Sequence, residues 1–143
     1  LSNVGFGAIS RALGNSTQLE RFSYRRLLGL SSNSIGSEGL STLAAALTNC
    51  THLERLDLSN EDFSMAAVGL RSLSDWLLTA ACKLDELILE WCEINDEGLR
   101  ALTEGALNHC KHINLHGNDI TASGWRYFST ALAQSGRCRL ENL

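Results

Sequence analysis

The chain has 143 residues, 44% of them hydrophobic and 20% charged, with a formal net charge of −4. That length supports one domain with a true core, and the acidic balance argues against a nucleic-acid footprint, which would be basic. No run of 18 apolar residues and no signal-peptide pattern occurs, so neither a membrane-spanning helix nor a leader is expected.

In chain order, "VGFGAISRAL" begins a helix expected over 5–14, and "LERFSY" (19–24) reads as a strand. "RRLLGL" (25–30) carries six residues more than the matching stretch downstream. Two registers are possible here. Either "LERFSY" is the strand and "RRLLGL" an insertion, or "LLGLSSNSI" is the strand and the insertion lies earlier; the match with residues 42–58 favours the first and the downstream match the second. The first is adopted, with Leu27-Leu28 then in a loop, packed inward rather than forming an exposed contact. Helices follow over 37–48 and 65–80, the second with Ser64 as a cap. "LDELILEWCEI" (84–94) is a strand and its turn. Asp96 is the expected N-cap of the next helix, where Leu99, Leu102 and Leu107 fall near helical spacing. A last helix over 122–134, capped by Thr121 or Ser123, follows "CKHINLHGNDI" (110–120), and "LENL" (140–143) reads as the start of another unit.

The chain repeats itself. "AISRALGNSTQLERFSY" (8–24) falls on "TLAAALTNCTHLERLDL" (42–58) after a shift of 34 residues. "LERLDLSNEDF", "LDELILEWCEI" and "CKHINLHGNDI" superpose without a gap, with Leu58, Leu89 and Leu115 in one slot. The shared pattern, L-x-x-L-x-L-x-x-N/C-x-I/L followed by a helix, resembles the leucine-rich repeat family, and its long period and helical second half resemble the ribonuclease-inhibitor type. The resemblance implies a right-handed α/β solenoid, a horseshoe with a parallel sheet on its concave side and helices on its convex side. It implies one domain over 1–143, of about four to five repeats, open at both ends. One strand and one helix cannot bury their apolar faces alone, so further repeats or another subunit are expected to cover the ends. The only methionine is Met65, which suits a processed chain, an excised domain or a piece of a longer protein.

Within that pattern Cys92 takes the N/C slot with Asn118 and Glu61, and in one register with Asn33. It is expected to turn inward as a small core residue rather than serve as a reactive thiol. Glu61 departs from the pattern, which predicts an irregular turn after Asn60. Five cysteines, an odd number, argue for a reducing compartment and a cytoplasmic protein. The sequons at Asn15 and Asn49 are the contrary signal.

In this family the strand residues between the leucines point out of the concave face, and equivalent positions form lateral rows. The rows are Glu20, Glu54, Asp85, Lys111; Arg21, Arg55, Glu86, His112; Ser23, Asp57, Ile88, Asn114; Arg25, Ser59, Glu90, His116; and Arg26, Asn60, Trp91, Gly117. The first strand is then basic, the middle acidic, and the far side carries histidines. Arg55, Asp57, Glu86, Ile88, Glu90, Trp91, His112, Asn114 and His116 are the candidate partner-binding residues, centred on Ile88, Glu90 and Trp91 as exposed positions. The competing reading folds Trp91 over the strand edge, where it packs locally.

Other chemistry is poorly supported. His112 and His116 lie four residues apart on a strand, roughly 13 Å, and cannot share an ion. Glu86 could meet His112, and Glu90 could meet His116, but two ligands do not make a zinc site. "VGFG" lacks the rest of a phosphate-binding fingerprint. An open face offers no dry pocket in which to tune Glu86 and Glu90 for acid–base work. No cofactor is expected, and Trp76 and Trp125 are expected in the core. The expected function is a non-catalytic module that binds a protein, with no nucleic acid and no membrane as partner. The alternatives are a regulator of an enzyme (GTPase-activating or nuclease-inhibitor-like), a sensor-receptor fragment, and a structural subunit of a large assembly.

Overall fold

The computed structural model describes residues 27–48, 50–79, 82–136 and 138–143. The helix expected over 5–14, the "LERFSY" segment and both sequon asparagines lie outside the described residues. Four strand–helix units follow one another: β1 (Leu27–Gly29) and α1 (Gly36–Leu47), β2 (Arg55–Asp57) and α2 (Ala67–Leu77), β3 (Glu86–Ile88) and α3 (Asp96–His109), β4 (His112–Asn114) and α4 (Ala122–Gln134). The strands form one parallel sheet in the order β1-β2-β3-β4. A further parallel bridge joins His112 to Asn142, so residues 140–143 begin a fifth strand position. The helices pack on one another in the same order, and the fold is the expected α/β solenoid.

The register is fixed by the pleat. Leu28, Leu56, Leu87 and Ile113 lie side by side, and Leu56, Leu87 and Ile113 are buried between sheet and helices. This corrects the adopted register at the first strand: "LLGLSSNSI" pairs with β2, and Leu27 stands beside Arg55. Leu28 packs on the core and Leu30 is buried in it, which leaves neither in an inserted loop. The rows therefore run Leu27, Arg55, Glu86, His112 and Gly29, Asp57, Ile88, Asn114. In place of Arg21, Ser23 and Arg25, uncharged residues flank β2, and the predicted basic first strand is not what borders it.

The turn after each strand is held by its inward slot. The Asn118 amide oxygen accepts from the backbone N–H of Cys92 at 3.1 Å and of Ile94 at 3.0 Å, while its amide nitrogen donates to the carbonyls of Leu89 and Leu115. Cys92 is fully buried, and its thiol donates to the Leu58 carbonyl at 3.1 Å. Glu61 does not break the pattern. Its buried carboxylate accepts from the backbone N–H of Asn33 and, at 2.6 Å, of Ile35, which is the work of Asn118 done two interfaces earlier. Asn60 has φ +59°, and its counterparts Ser32, Trp91 and Gly117 are left-handed too, so the step at Asn60 is shared; the departure expected after it lies downstream, where α2 begins only at Ala67, seven residues on, against four or five in the other units.

Caps differ from expectation in two places. Asn95, not Asp96, caps α3, with its side chain accepting from Gly98 N–H at 3.0 Å. Asp96 instead reaches the next repeat, where its carboxylate accepts from the N–H of Thr121 at 2.8 Å and from its hydroxyl at 2.7 Å. Ser64 gives its hydroxyl to Asp62 and does not cap α2. Thr121 caps α4 by accepting from Ser123 N–H. The helix layer is drawn tight by glycine: a Cβ on Gly105 would lie 2.3 Å from the Ser74 carbonyl, and one on Gly69 would lie 2.5 Å from the Ser37 carbonyl. Trp76 is buried and donates its indole N–H to the Leu47 carbonyl at 3.0 Å. Trp125 is not in the core. It is 37% exposed and meets the buried Phe128 edge-on at 5.9 Å, because among the described residues no helix follows α4.

Candidate functional site: the concave face

Alternation along each three-residue strand sends Leu56, Leu87 and Ile113 inward and the flanking residues to the concave side. Arg55, Glu86 and His112 form one row, and Asp57, Ile88 and Asn114 the next. The structure thus brings together the nine residues singled out from sequence, as a strip three rows deep with Trp91 in a fourth.

Their interactions run along and across the rows. The Arg55 guanidinium meets the Glu86 carboxylate at 3.1 Å. Glu86 therefore turns to Arg55 rather than to His112, which lies against Asn142, with its Nδ1 2.9 Å from the Asn142 amide nitrogen. Glu90 accepts from the Asn114 amide nitrogen rather than engaging His116. The Asn114 amide oxygen accepts in turn from His116 N–H. Asp57 accepts from both the hydroxyl and the N–H of Ser59, at 2.6 and 3.0 Å. Ile88 is 7% exposed, not an open anchor as expected; Asp57 and Asn114 stand on either side of it and Glu86 and Glu90 along its own strand, so a short apolar side chain is walled in. Among the described residues no group of three metal-ligating side chains assembles.

Trp91 differs from all of these. It sits at φ +53°, a left-handed conformation unusual for a bulky side chain, and it is 56% exposed. Its ring meets His116 edge-on at 5.4 Å and lies over Gly117, where an added Cβ would fall 2.4 Å from the indole. Trp91 packs locally and remains exposed: one side of the ring rests on the next repeat and the rest faces solvent.

Sequence reasoning passed over a second feature, at the opposite ends of the strands. A cleft of roughly 640 Å³ opens there, lined among others by Cys82, Lys83, Asp85, His109, Lys111 and Arg139. Asp85 pairs with Lys111 at 2.8 Å and with Arg139 at 3.6 Å. His109 sets its Nε2 3.0 Å from the Cys82 carbonyl, and desolvation holds its pKa below the ordinary histidine value. The alternation of Asp85 and Lys111 in one lateral row was the available signal.

The family model described as "Leucine Rich repeat" matches residues 26–44 and 80–102, the first and third strand–helix units. A ribonuclease inhibitor from Sus scrofa is 32% identical over 118 residues, covering 81% of this chain and 25% of the inhibitor. "NACHT, LRR and PYD domains-containing protein 14" from Mus musculus is 30% identical over 146 residues, covering 100% of this chain and 14% of that protein. The chain thus spans about a quarter or less of the length of these relatives. Among solved structures, "Leiomodin-1 Actin-Binding Site 2 (ABS2)" superposes with a TM-score of 0.72 at 17% identity, over 94% of this chain and 75% of that one, a likeness of fold. With its stacked units and turn-slot pattern, the chain belongs to the leucine-rich repeat family, of the ribonuclease-inhibitor type.

Proposed function

We propose that the chain is a non-catalytic protein-interaction module that receives its partner on the concave strip from Arg55 to His116. The observation that carries this reading is Trp91, a bulky side chain kept in a left-handed turn and left more than half exposed at the rim of the strip. Such backbone conformations cost of order 1–3 kcal/mol and cluster at functional sites, and tryptophan is enriched among binding hot spots. Asp57, Glu86 and Glu90 outnumber Arg55, so a complementary partner contributes basic groups around an apolar contact with the indole. Ile88 supports the strip from beneath instead of touching the partner first. A nucleic acid or an anionic membrane surface is disfavoured by the same charge.

The free thiols of Cys82, Cys92 and Cys110, all buried, support a cytoplasmic setting. Two finer readings draw on the relatives. The inhibitor from Sus scrofa supports a regulator of an enzyme, and the match of all of this chain to 14% of the NACHT-containing protein supports a segment of a sensor receptor. Affinity capture from the native source tests the site, comparing the wild-type chain with a Glu90→Lys, Trp91→Ala double variant of equal stability. Loss of one stoichiometric partner in the variant is the expected result. Equal capture by both forms would move binding off the concave strip. Inhibition of the captured enzyme, or stimulation of a captured GTPase, would then separate regulation from scaffolding.

A further inference from the structure

The cleft at the leading ends of the strands is built from two lateral rows. The parallel ladder runs one residue ahead of the strands. There the Glu54 carbonyl accepts from Asp85 N–H and the Asp85 carbonyl from Lys111 N–H, each at 2.8 Å, and the Lys111 carbonyl from Glu141 N–H at 2.7 Å. Glu54, Asp85, Lys111 and Glu141 are thus equivalent positions. Two residues earlier in each unit stand His52, Lys83, His109 and Arg139. The residues between the two rows, Leu53, Leu84, Cys110 and Leu140, belong to the core or pack against it. The whole of the earlier row lines the cleft, together with Glu54, Asp85 and Lys111.

That earlier row holds no carboxylate. It is an imidazole, an ammonium, an imidazole and a guanidinium in succession. The chain's two lysines, Lys83 and Lys111, both line the cleft. Lys83 is exposed and has no acid partner among the described residues. Asp85 is already engaged by Lys111 and Arg139. The cleft is therefore a cationic surface on a chain of net charge −4. His109 senses it: after desolvation, the charges of Arg139 and Lys83 add to the lowering of its pKa, against the Cys82 hydrogen bond and Asp85.

We propose that this cleft binds an extended acidic segment of a protein, rich in aspartate and glutamate, laid across the strands along the row from His52 to Arg139. Adjacent strands lie about 4.7–4.9 Å apart, so the four positions span about 14–15 Å, the reach of four to five extended residues. A line of cations suits a line of carboxylates. A single phosphate group instead needs donors converging on one point, and Asp85, paired with both Lys111 and Arg139, would repel such a dianion. The His109 Nε2–H is committed to the Cys82 carbonyl, so a bound carboxylate meets the ring at Nδ1 and favours its protonation. The cleft shares no residue with the concave strip, and neither reading rests on the other.

The test titrates the full chain with hexaglutamate at low salt and follows amide and imidazole resonances by NMR. Shifts concentrated at Lys83, His109 and Arg139 are expected, with the His109 titration moved to higher pH in the complex. Lys83→Glu should weaken binding about tenfold, and Lys83→Gln, the milder variant, about threefold. Arg126→Glu makes the same charge change on α4, outside the cleft, and should leave affinity within about twofold. Equal weakening by Lys83→Glu and Arg126→Glu would overturn the proposal, because binding would then follow net charge alone. So would shifts confined to residues outside the cleft, or none at millimolar peptide. Inorganic phosphate that occupies the cleft more tightly than hexaglutamate would overturn it in favour of a phosphate site. Hexalysine bound there as tightly would refute the charge argument outright.

Discussion

The Glu61 carboxylate accepts the backbone N–H of Ile35 at 2.6 Å across the boundary between two repeats. An acid therefore occupies an asparagine's place without disturbing the turn. Glu61→Leu keeps the volume and removes the Glu61 acceptor from the N–H groups of Asn33 and Ile35. Each lost acceptor costs about 1–3 kcal/mol, so a loss of about 2–6 kcal/mol is expected. Glu61→Gln keeps a side-chain oxygen and should lose less than half of that. Urea unfolding of both variants checks the order, and equal midpoints would show that the turn does not lean on this side chain.

Substitution of Trp91 tests the proposed binding role apart from folding. The left-handed backbone costs a non-glycine residue about 1–2 kcal/mol, and asparagine tolerates it better. Trp91→Asn is expected to leave the thermal midpoint within a few degrees of wild type while abolishing partner capture. A variant that unfolds early instead would make the indole a structural plug.

Gly105→Ala forces a Cβ to within 2.3 Å of the Ser74 carbonyl and 2.8 Å of its Cα, where neither side can yield cheaply. A loss of about 2 kcal/mol or more is expected. Gly29→Ala is the control, since nothing lies within 4 Å of the added atom. Its thermal midpoint should match the parent or exceed it slightly. Equal losses in both variants would refute close helix packing as the cause.

His109 gives the fold a pH dependence of definite sign. Desolvation is the main cause of its lowered pKa, partly offset by its hydrogen bond to the Cys82 carbonyl. The unfolded chain then takes up the proton first as pH falls. Its contribution to stability is present above the ordinary value of 6.5 and is lost as pH drops through the lower folded value. Between about pH 7.5 and pH 5.5 the wild type should lose more unfolding free energy than His109→Gln. Parallel losses would place the titration elsewhere.

Cys92 and Cys110 should resist alkylation in the folded state. Burial pushes their thiols up to about 11 and about 12, so at neutral pH almost no thiolate is present. Mass-resolved labelling with iodoacetamide should reach half-buried Cys50 and Cys138 well before either. Early labelling of Cys92 would revive a reactive role for it.

The periodic leucines made the solenoid legible, since Leu58, Leu89 and Leu115 define both the strand phase and the slot where Cys92 turns inward. The first register failed for a physical reason. "LERFSY" offers the better letter match, but only "LLGLSSNSI" brings the Asn33 and Ile35 N–H groups to Glu61, a contact invisible to sequence identity. Ile88 was misjudged because phase tells which face a side chain takes and not how tall its neighbours are. Trp125 was misjudged because helical spacing places it on a core stripe, and burial of that stripe needs a neighbour beyond α4. Asp96 showed the same blindness: its position suits a cap, yet its partner is Thr121, 25 residues away.

The glycines of the helix layer have a further consequence. In any such arch the inner spacing is held near 4.7–4.9 Å by the strand ladder, so the outer spacing alone sets the bend per repeat. Gly69 and Gly105 let helices come closer than any side chain would permit, which opens the arch and widens its mouth. The curvature of the face that carries Trp91 and Glu90 is thus set on the opposite side of the molecule, by glycines of the helix layer, and a methyl added there would change the curve without replacing any side chain of that face.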